Sequence, residues 1–394
     1  DDCDLPGGYD CNGDCGGSAF VDACGECGGD SSGCDDGDYV GLYQLYSMKV
    51  YDGYDIGWKI TYRKQVAAVK SYIGKQKGYE YSRTGNPTRT ALENNLAALE
   101  NGKYGLCFGS GLAAVDAIIK LLKPGDEVIS TNDLYGGTYR IFSSIFEKYG
   151  IKFHFIGMND DSKIISHINE NTKMIWVETP TNPLLKIADL KRIARIAKKH
   201  KLITVCDNTF ATPINQRPLD FGIDIVNHST TKYINGHSDI IGGSLVIGKN
   251  KALEKKLALI QNSTGAVPSP FDCFLILRGI KTLSLRIKKH NENGIKVARF
   301  LKGQKKLSDV TYPGLTNHKQ SDIAKKQMNG FGGMITFIHK GTMSDISKFM
   351  RKLKIFTIAE SLGGVESLIE SPALMTHAYL EDKSYNQVPK KLVR

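Results

Sequence analysis

Leu202-Ile-Thr-Val-Cys-Asp207 is an apolar run that closes on an acid, and His228-Ser-Thr-Thr-Lys-Tyr-Ile-Asn-Gly-His237 follows it with Lys232 set among hydroxyls and a glycine. A short apolar run rich in β-branched residues and bounded by polar ones is a buried strand. In an open α/β sheet the carboxyl ends of such strands face the ligand. Lys232 supplies an amine able to form a Schiff base, and Asp207 a carboxylate able to hold a ring nitrogen protonated. Ser229, Thr231 and Thr209 supply hydroxyls that can grip a phosphate. Taken singly, these residues are ordinary: Lys232 would be a solvated loop lysine and Asp207 the cap of the next element.

Outward from this stretch, strand and helix alternate. Gly105-Leu-Cys-Phe108 is a strand, Gly109-Ser-Gly-Leu112 a turn, and 113–122 a helix. Small residues at such a turn let the backbone N–H groups of Ser110, Gly111 and Leu112 approach a phosphate at the positive helix end. Strands at 127–130, 152–156, 174–177 and 202–206 then alternate with helices at 138–149, 162–168 and 189–200. This spacing predicts an α/β fold, a mostly parallel sheet flanked by helices. Beyond Lys232, a strand at 243–247 and a helix at 251–260 lead to a long periodic run, 271–301. That run connects to a smaller α+β C-terminal domain with strands at 334–338 and 355–358 around a helix at 344–353. Upstream, Tyr81-Ser-Arg-Thr-Gly-Asn-Pro-Thr88 is a loop in which Asn86 and Pro87 start a helix spaced on Leu92, Leu96 and Leu99.

Asp207-Asn-Thr-Phe210, Ser229-Thr-Thr-Lys-Tyr233 and the Tyr81–Thr88 loop resemble, in order, the cystathionine γ-synthase and γ-lyase group of the Cys/Met-metabolism pyridoxal-phosphate enzymes of fold type I, over residues 73–394. The resemblance implies a cofactor, pyridoxal 5'-phosphate, and an amino-acid substrate. It implies that Lys232 bonds the cofactor, Asp207 faces the ring nitrogen, Tyr135 stacks on the ring and Asn182 bonds the ring hydroxyl. Ser110, Gly111, Leu112, Thr209, Ser229 and Thr231 surround the phosphate, while Tyr81 and Arg83 reach the partner subunit's cofactor across a homodimer or homotetramer interface. Ser361 lies near the lysine as a catalytic residue with Lys232 and Tyr135. Glu360 is the acid typical of members that act at the γ-carbon, and Arg394 clamps the substrate carboxylate. β-Lyases usually lack that acid, and methionine γ-lyases carry a cysteine where Gly137 stands. γ-Synthase, γ-lyase, β-lyase and homoserine-ester sulfhydrylase directions stay open.

Two features depart from the family pattern. Residues 39–72 lack the Pro-Ile and Ser/Thr-rich arm signature, and the chain stops at Lys391-Leu-Val-Arg394 where relatives continue. The expectation is a truncated reading frame whose frayed last residue holds a carboxylate poorly.

With 394 residues the chain divides by sequence into an acidic Cys/Gly-rich segment 1–38, an arm 39–78, a cofactor-binding domain 79–283 and a small domain 284–394. The net charge of +11 conceals a segment, 1–38, with eleven acids and no base; the remainder carries 52 basic against 30 acidic residues. Its lysines are scattered over solvated helix faces without interleaved aromatics, which argues against nucleic acid. No run of eighteen apolar residues and no signal peptide is present, so a cytoplasmic, membrane-free protein is expected. Six of nine cysteines fall within residues 3–34, where disulfides, calcium or zinc at Cys24-Gly-Glu-Cys27 are conceivable. No metal is expected at the Lys232 site. Two rivals are a secreted Cys-rich structural or calcium-binding protein carrying an inactive enzyme fragment, and a dead fragment that still binds cofactor.

Overall fold

The computed structural model describes residues 79, 81–375 and 388–394; the Cys-rich segment 1–38, the arm 39–78 with the helix expected near 64–72, and Thr376-His377 lie outside the described residues. The chain divides between Pro87 and Thr88, and the sheet and helices below belong to the second part, save for Pro87 at the start of the first helix.

Pro87–Leu99 (α1) is the expected helix, with Pro87 at its first position. The strands that follow are β1 (Tyr104–Phe108), β2 (Glu127–Thr131), β3 (Lys152–Ile156), β4 (Thr172–Glu178), β5 (Ile203–Asp207), β6 (Ile225–Ser229) and β7 (Gly243–Ile247). They form one sheet in the order β1-β7-β6-β5-β4-β2-β3. β3, β2, β4, β5 and β6 run parallel, and β7 is antiparallel to both of its neighbours. The expected mostly parallel α/β sheet is therefore present.

Alternation along each strand feeds two cores. Val128, Met174, Trp176 and Val205 face one cluster, shared with α2 (Gly111–Ile119) and the segment from Gly136 to Tyr149. Ile129, Ile175, Val177 and Cys206 face the other, shared with α3 (Asp161–Ser166) and α4 (Leu190–Lys199). Near-continuous apolar strands are what two covered faces require. α5 (Lys251–Thr264), α6 (Pro270–Ile280) and α7 (Leu283–Lys302) follow. A smaller three-stranded sheet, β12-β9-β8, then packs Val310, Phe337 and Val393 with Ala298 of α7. It is built from β8 (Leu307–Thr311), β9 (Thr336–His339) and β12 (Leu392–Val393); β10 (Thr357–Ile358) and β11 (Leu368–Ile369) pair separately.

Three expectations are corrected. The helix expected over 138–149 starts at Gly136, passes through a π turn at Ile141–Ile145 and ends as a 3-10 turn at Phe146–Tyr149. The Ser143 hydroxyl donates to the Tyr139 carbonyl at 2.9 Å, and such a back-bond competes with regular helix geometry. The run 271–301 is two helices, broken where the Thr282 hydroxyl donates to the Gly279 carbonyl at 3.1 Å. Lastly, Arg394 is not frayed: β12 pairs with β9, and Arg394 exchanges backbone hydrogen bonds with Glu370 at 2.9 Å each way.

Phe142 is fully buried, stacked 4.4 Å from Phe153 and edge-on to Trp176 at 5.3 Å. Phe142→Ala is expected to destabilise the fold by about 3–5 kcal/mol through lost burial and an unfilled cavity, read by denaturant unfolding.

Candidate active site

Parallel pairing sets strand ends side by side. Glu178, the last residue of β4, is registered against Asp207, the last of β5, and Asp207 in turn against Asn227 of β6. Asp207 Oδ1 accepts from the Thr209 N–H at 3.0 Å and Oδ2 from Asn227 Nδ2 at 2.8 Å. Thr209 Oγ1 accepts from the Ser229 N–H at 2.9 Å, which ties the end of β6 to the turn after β5.

Beyond Ser229 the chain makes a tight turn that presents Lys232, closed by the Lys232 N–H to the Ser229 carbonyl at 3.2 Å and Asn235 N–H to the Thr230 carbonyl at 3.0 Å. From behind, Arg286 of α7 grips the same turn, with Nη1 donating to the Tyr233 carbonyl at 2.6 Å and Nη2 to that of Ile234 at 3.2 Å. On the open side Gly363 has φ +81°, and a Cβ there would stand 2.5 Å from Tyr233 N. Only glycine permits that approach. It lets Ser361 reach the lysine, whose Nζ donates to Ser361 Oγ at 3.2 Å.

These residues line a cavity of about 380 Å³, within the range of small-molecule sites. Thirteen of the fifteen residues singled out by sequence are in its wall: Ser110, Gly111, Leu112, Tyr135, Asn182, Asp207, Thr209, Ser229, Thr231, Lys232, Glu360, Ser361 and Arg394. Tyr81 and Arg83 belong to the other part of the chain. In their own part of the chain both are exposed, with the Arg83 guanidinium 5.2 Å from the Tyr81 ring centre.

At one end, Ser110 caps α2 by accepting from the Ala113 N–H at 3.0 Å, leaving the Gly111 and Leu112 N–H groups in the helix's unpaired first turn. A Cβ at Gly111 would come within 3.0 Å of Ser229 Cβ, so glycine keeps this concave end open. At the other end Arg394, 7 % exposed, pairs with Glu370 at 2.7 Å and donates to Asn182 Oδ1 at 2.5 Å and to the Glu360 carbonyl at 3.3 Å.

Burial, and then the Arg394 charge, pull the Lys232 amine below the ordinary lysine value, with Glu370 and Glu360 opposing. Burial, and then the adjacent Asp207 carboxylate, push Glu178 well above the carboxylate range. Glu178 accepts from the Asn182 N–H and the Tyr135 N–H, each at 2.8 Å, so one carboxylate ties together the loops that carry both residues. Sequence reasoning missed Glu178 and Asn227. The strand-end rule that finds Asp207 also reaches Glu178, whereas Asn227 sits inside β6, a strand not anticipated in Ile225-Val-Asn-His-Ser229.

The donor set fits pyridoxal phosphate part by part. Helix-end amides and hydroxyls suit a phosphate, Asp207 a ring nitrogen, the Asn182 amide a ring hydroxyl, and Lys232 an aldehyde.

The family model for Cys/Met metabolism PLP-dependent enzymes matches residues 56–394. Cystathionine beta-lyase of Coxiella burnetii is 52% identical over 306 residues, covering 77% of this chain and 79% of that protein. Cystathionine gamma-lyase of Dictyostelium discoideum is 51% identical over 300 residues, covering 76% and 77%. Among solved structures, cystathionine gamma synthase from Xanthomonas oryzae pv. oryzae, in complex with aminoacrylate and cysteine, superposes with a TM-score of 0.79 at 40% identity, covering 81% of this chain and 83% of that one.

A lysine with a lowered pKa stays unprotonated to lower pH and loses nucleophilicity only below that value. In the cofactor-free chain, Lys232 is expected to reach half-maximal reaction with an aldehyde and borohydride at a lower pH than the exposed lysines, read by peptide mass spectrometry. Arg394→Ala removes one positive charge and leaves Glu370 unopposed, so both changes move that midpoint upward.

Proposed function

Because the chain belongs to the Cys/Met-metabolism pyridoxal-phosphate-dependent enzymes, we propose that it acts in trans-sulfuration at the γ-carbon of an amino acid. It would join an O-acyl-homoserine to cysteine as a cystathionine γ-synthase, or split cystathionine as a γ-lyase. The observation that carries this reading is Glu360 next to Ser361 at the exposed mouth of the cavity that holds Lys232.

In this reading Ser110, Gly111, Leu112, Thr209, Ser229 and Thr231 hold the phosphate, Asp207 the ring nitrogen, Asn182 the ring hydroxyl and Tyr135 a ring face. Bound there, pyridoxal phosphate supplies an electrophilic aldehyde and a ring that draws electrons from the substrate carbon. Lys232 Nζ, freed of its proton more readily than a surface amine, would be the group that holds the aldehyde, and as a free amine it could take up and give back a proton. Ser361 Oγ accepts from Nζ and orients it. Arg394 has five N–H donors; Asn182 takes one on Nη1 and Glu360 and Glu370 take those on Nη2, which leaves its charge, the Nε–H and the second Nη1–H to meet an α-carboxylate.

The exposed Tyr81 and Arg83 support sites shared between copies in a homodimer or homotetramer. A cofactor-binding domain 79–283, a small domain 284–394 and a cytoplasmic setting belong to the same proposal. No helix among the described residues is long and apolar enough to cross a membrane. A β-lyase is the second reading, favoured by the 52% identity to the Coxiella burnetii relative.

With cystathionine as substrate, 2-oxobutyrate is the expected product; pyruvate in its place assigns the β-lyase, and turnover confined to a homoserine ester with cysteine assigns the synthase. Purified protein is expected to show a visible cofactor band that borohydride abolishes and Lys232→Ala lacks. A protein colourless even with added cofactor overturns the reading. Mixed Arg83→Ala and Lys232→Ala chains are expected to regain activity at one intact shared site, and co-assembled chains without rescue overturn the sharing.

A further inference from the structure

Asp207 is one of two carboxylates side by side on neighbouring strands of a buried sheet edge, the other being Glu178. Adjacent strands lie about 5 Å apart, and at that range the Asp207 carboxylate adds to burial in pushing Glu178 upward. The oxygens of Glu178 are committed to the Asn182 and Tyr135 N–H groups, so Glu178 is turned to the loops. On the other flank stands Asn227, 1 % exposed, registered directly against Asp207 and donating Nδ2 to Asp207 Oδ2 at 2.8 Å.

The second half of that amide identifies what the residue is for. Asn227 Oδ1 is buried and has no hydrogen-bond partner among the described residues. Flipping the amide would give the carboxylate an oxygen in place of a donor and would lose the one bond the side chain makes. A strand interior that tolerates a polar side chain with an orphaned acceptor points to a constraint other than stability. Of the two donors on Asp207, the Thr209 N–H belongs to the backbone of the same turn; Asn227 is the side chain that reaches across from the next strand. The charged and titratable groups around the pair are Glu178 on β4, Lys232 beyond β6, and Tyr135, Glu360 and Arg394 across the cavity.

We propose that Asn227 is a positioning residue: it fixes the orientation of the Asp207 carboxylate toward the place of the cofactor's ring nitrogen. This rests on the role given to Asp207 above. Asn227 acts through Asp207. Without that donor the carboxylate would be free to turn away from the place of the ring nitrogen, and a ring held there would carry less positive charge, which the pH midpoint of the visible band reports.

Threonine and valine have nearly the same shape, both suit a strand, and they differ in one O–H donor. Asn227→Val and Asn227→Thr therefore form the test, made on the holoenzyme and on cofactor-free protein titrated with pyridoxal phosphate. Asn227→Val is expected to raise the pH midpoint of the visible band by roughly one unit and weaken cofactor binding roughly tenfold, the scale of one lost charge-assisted hydrogen bond. Asn227→Thr is expected to restore most of both, with the two variants melting within a few degrees of each other. If valine and threonine give the same midpoint and affinity, or both match the unaltered chain, the proposal is overturned. Should the valine chain fail to fold, Asn227→Leu, closer to asparagine in size, takes its place under the same criterion. An unaltered chain with no visible band overturns the functional reading itself, whereas a normal band that ignores position 227 overturns this inference alone.

Discussion

Parallel pairing of β4, β5 and β6 ends three strands at one edge of the sheet, and that edge carries Glu178, Asp207 and Asn227 in register. Negative charge gathered in a buried place has to be balanced, because desolvation of an unpaired carboxylate is unfavourable by several kcal/mol or more. The surroundings supply that balance: two backbone N–H groups on Glu178, one N–H and one amide on Asp207, the open first turn of α2, the Lys232 amine and the Arg394 guanidinium. The loops are placed by the same bonds. Tyr135 and Asn182 are held to one carboxylate, and the Lys232 turn is tied back to Thr209 through Ser229.

Arg394 and Glu370, both with side chains 2 % exposed, are the second buried charge system. A buried ion pair offsets its desolvation only when geometry is good and further hydrogen bonds are made; here Arg394 also meets Asn182 Oδ1 and the Glu360 carbonyl. The smaller sheet, through β12, thereby places a cation in the cavity wall, and that charge, after burial, draws down the amine of Lys232.

Much of this was legible in the chain. Alternating strand and helix signals, with apolar strands too continuous for a one-sided sheet, specify a parallel sheet covered on both faces, and the covered faces are those of the two main clusters. Short motifs at strand ends specify the site, because a parallel sheet brings every such end to one edge; thirteen residues scattered from 110 to 394 line the same cavity. Cys107, Cys206 and Cys273 are buried and, among the described residues, free of disulfides.

Local patterning and motif chemistry thus determined the fold class, the cofactor family and most of the cavity wall, because periodicity and strand-end placement are properties of short segments. Tertiary structure decided what depends on distant neighbours. The helix over 138–149 yielded to a side-chain bond inside it, the run 271–301 broke where the Thr282 hydroxyl bonds the Gly279 carbonyl, and a terminal arginine that reads as frayed is pinned by Glu370. Glu178 and Asn227 belong to this second group, for their significance lies in strand register, which no local stretch of sequence encodes.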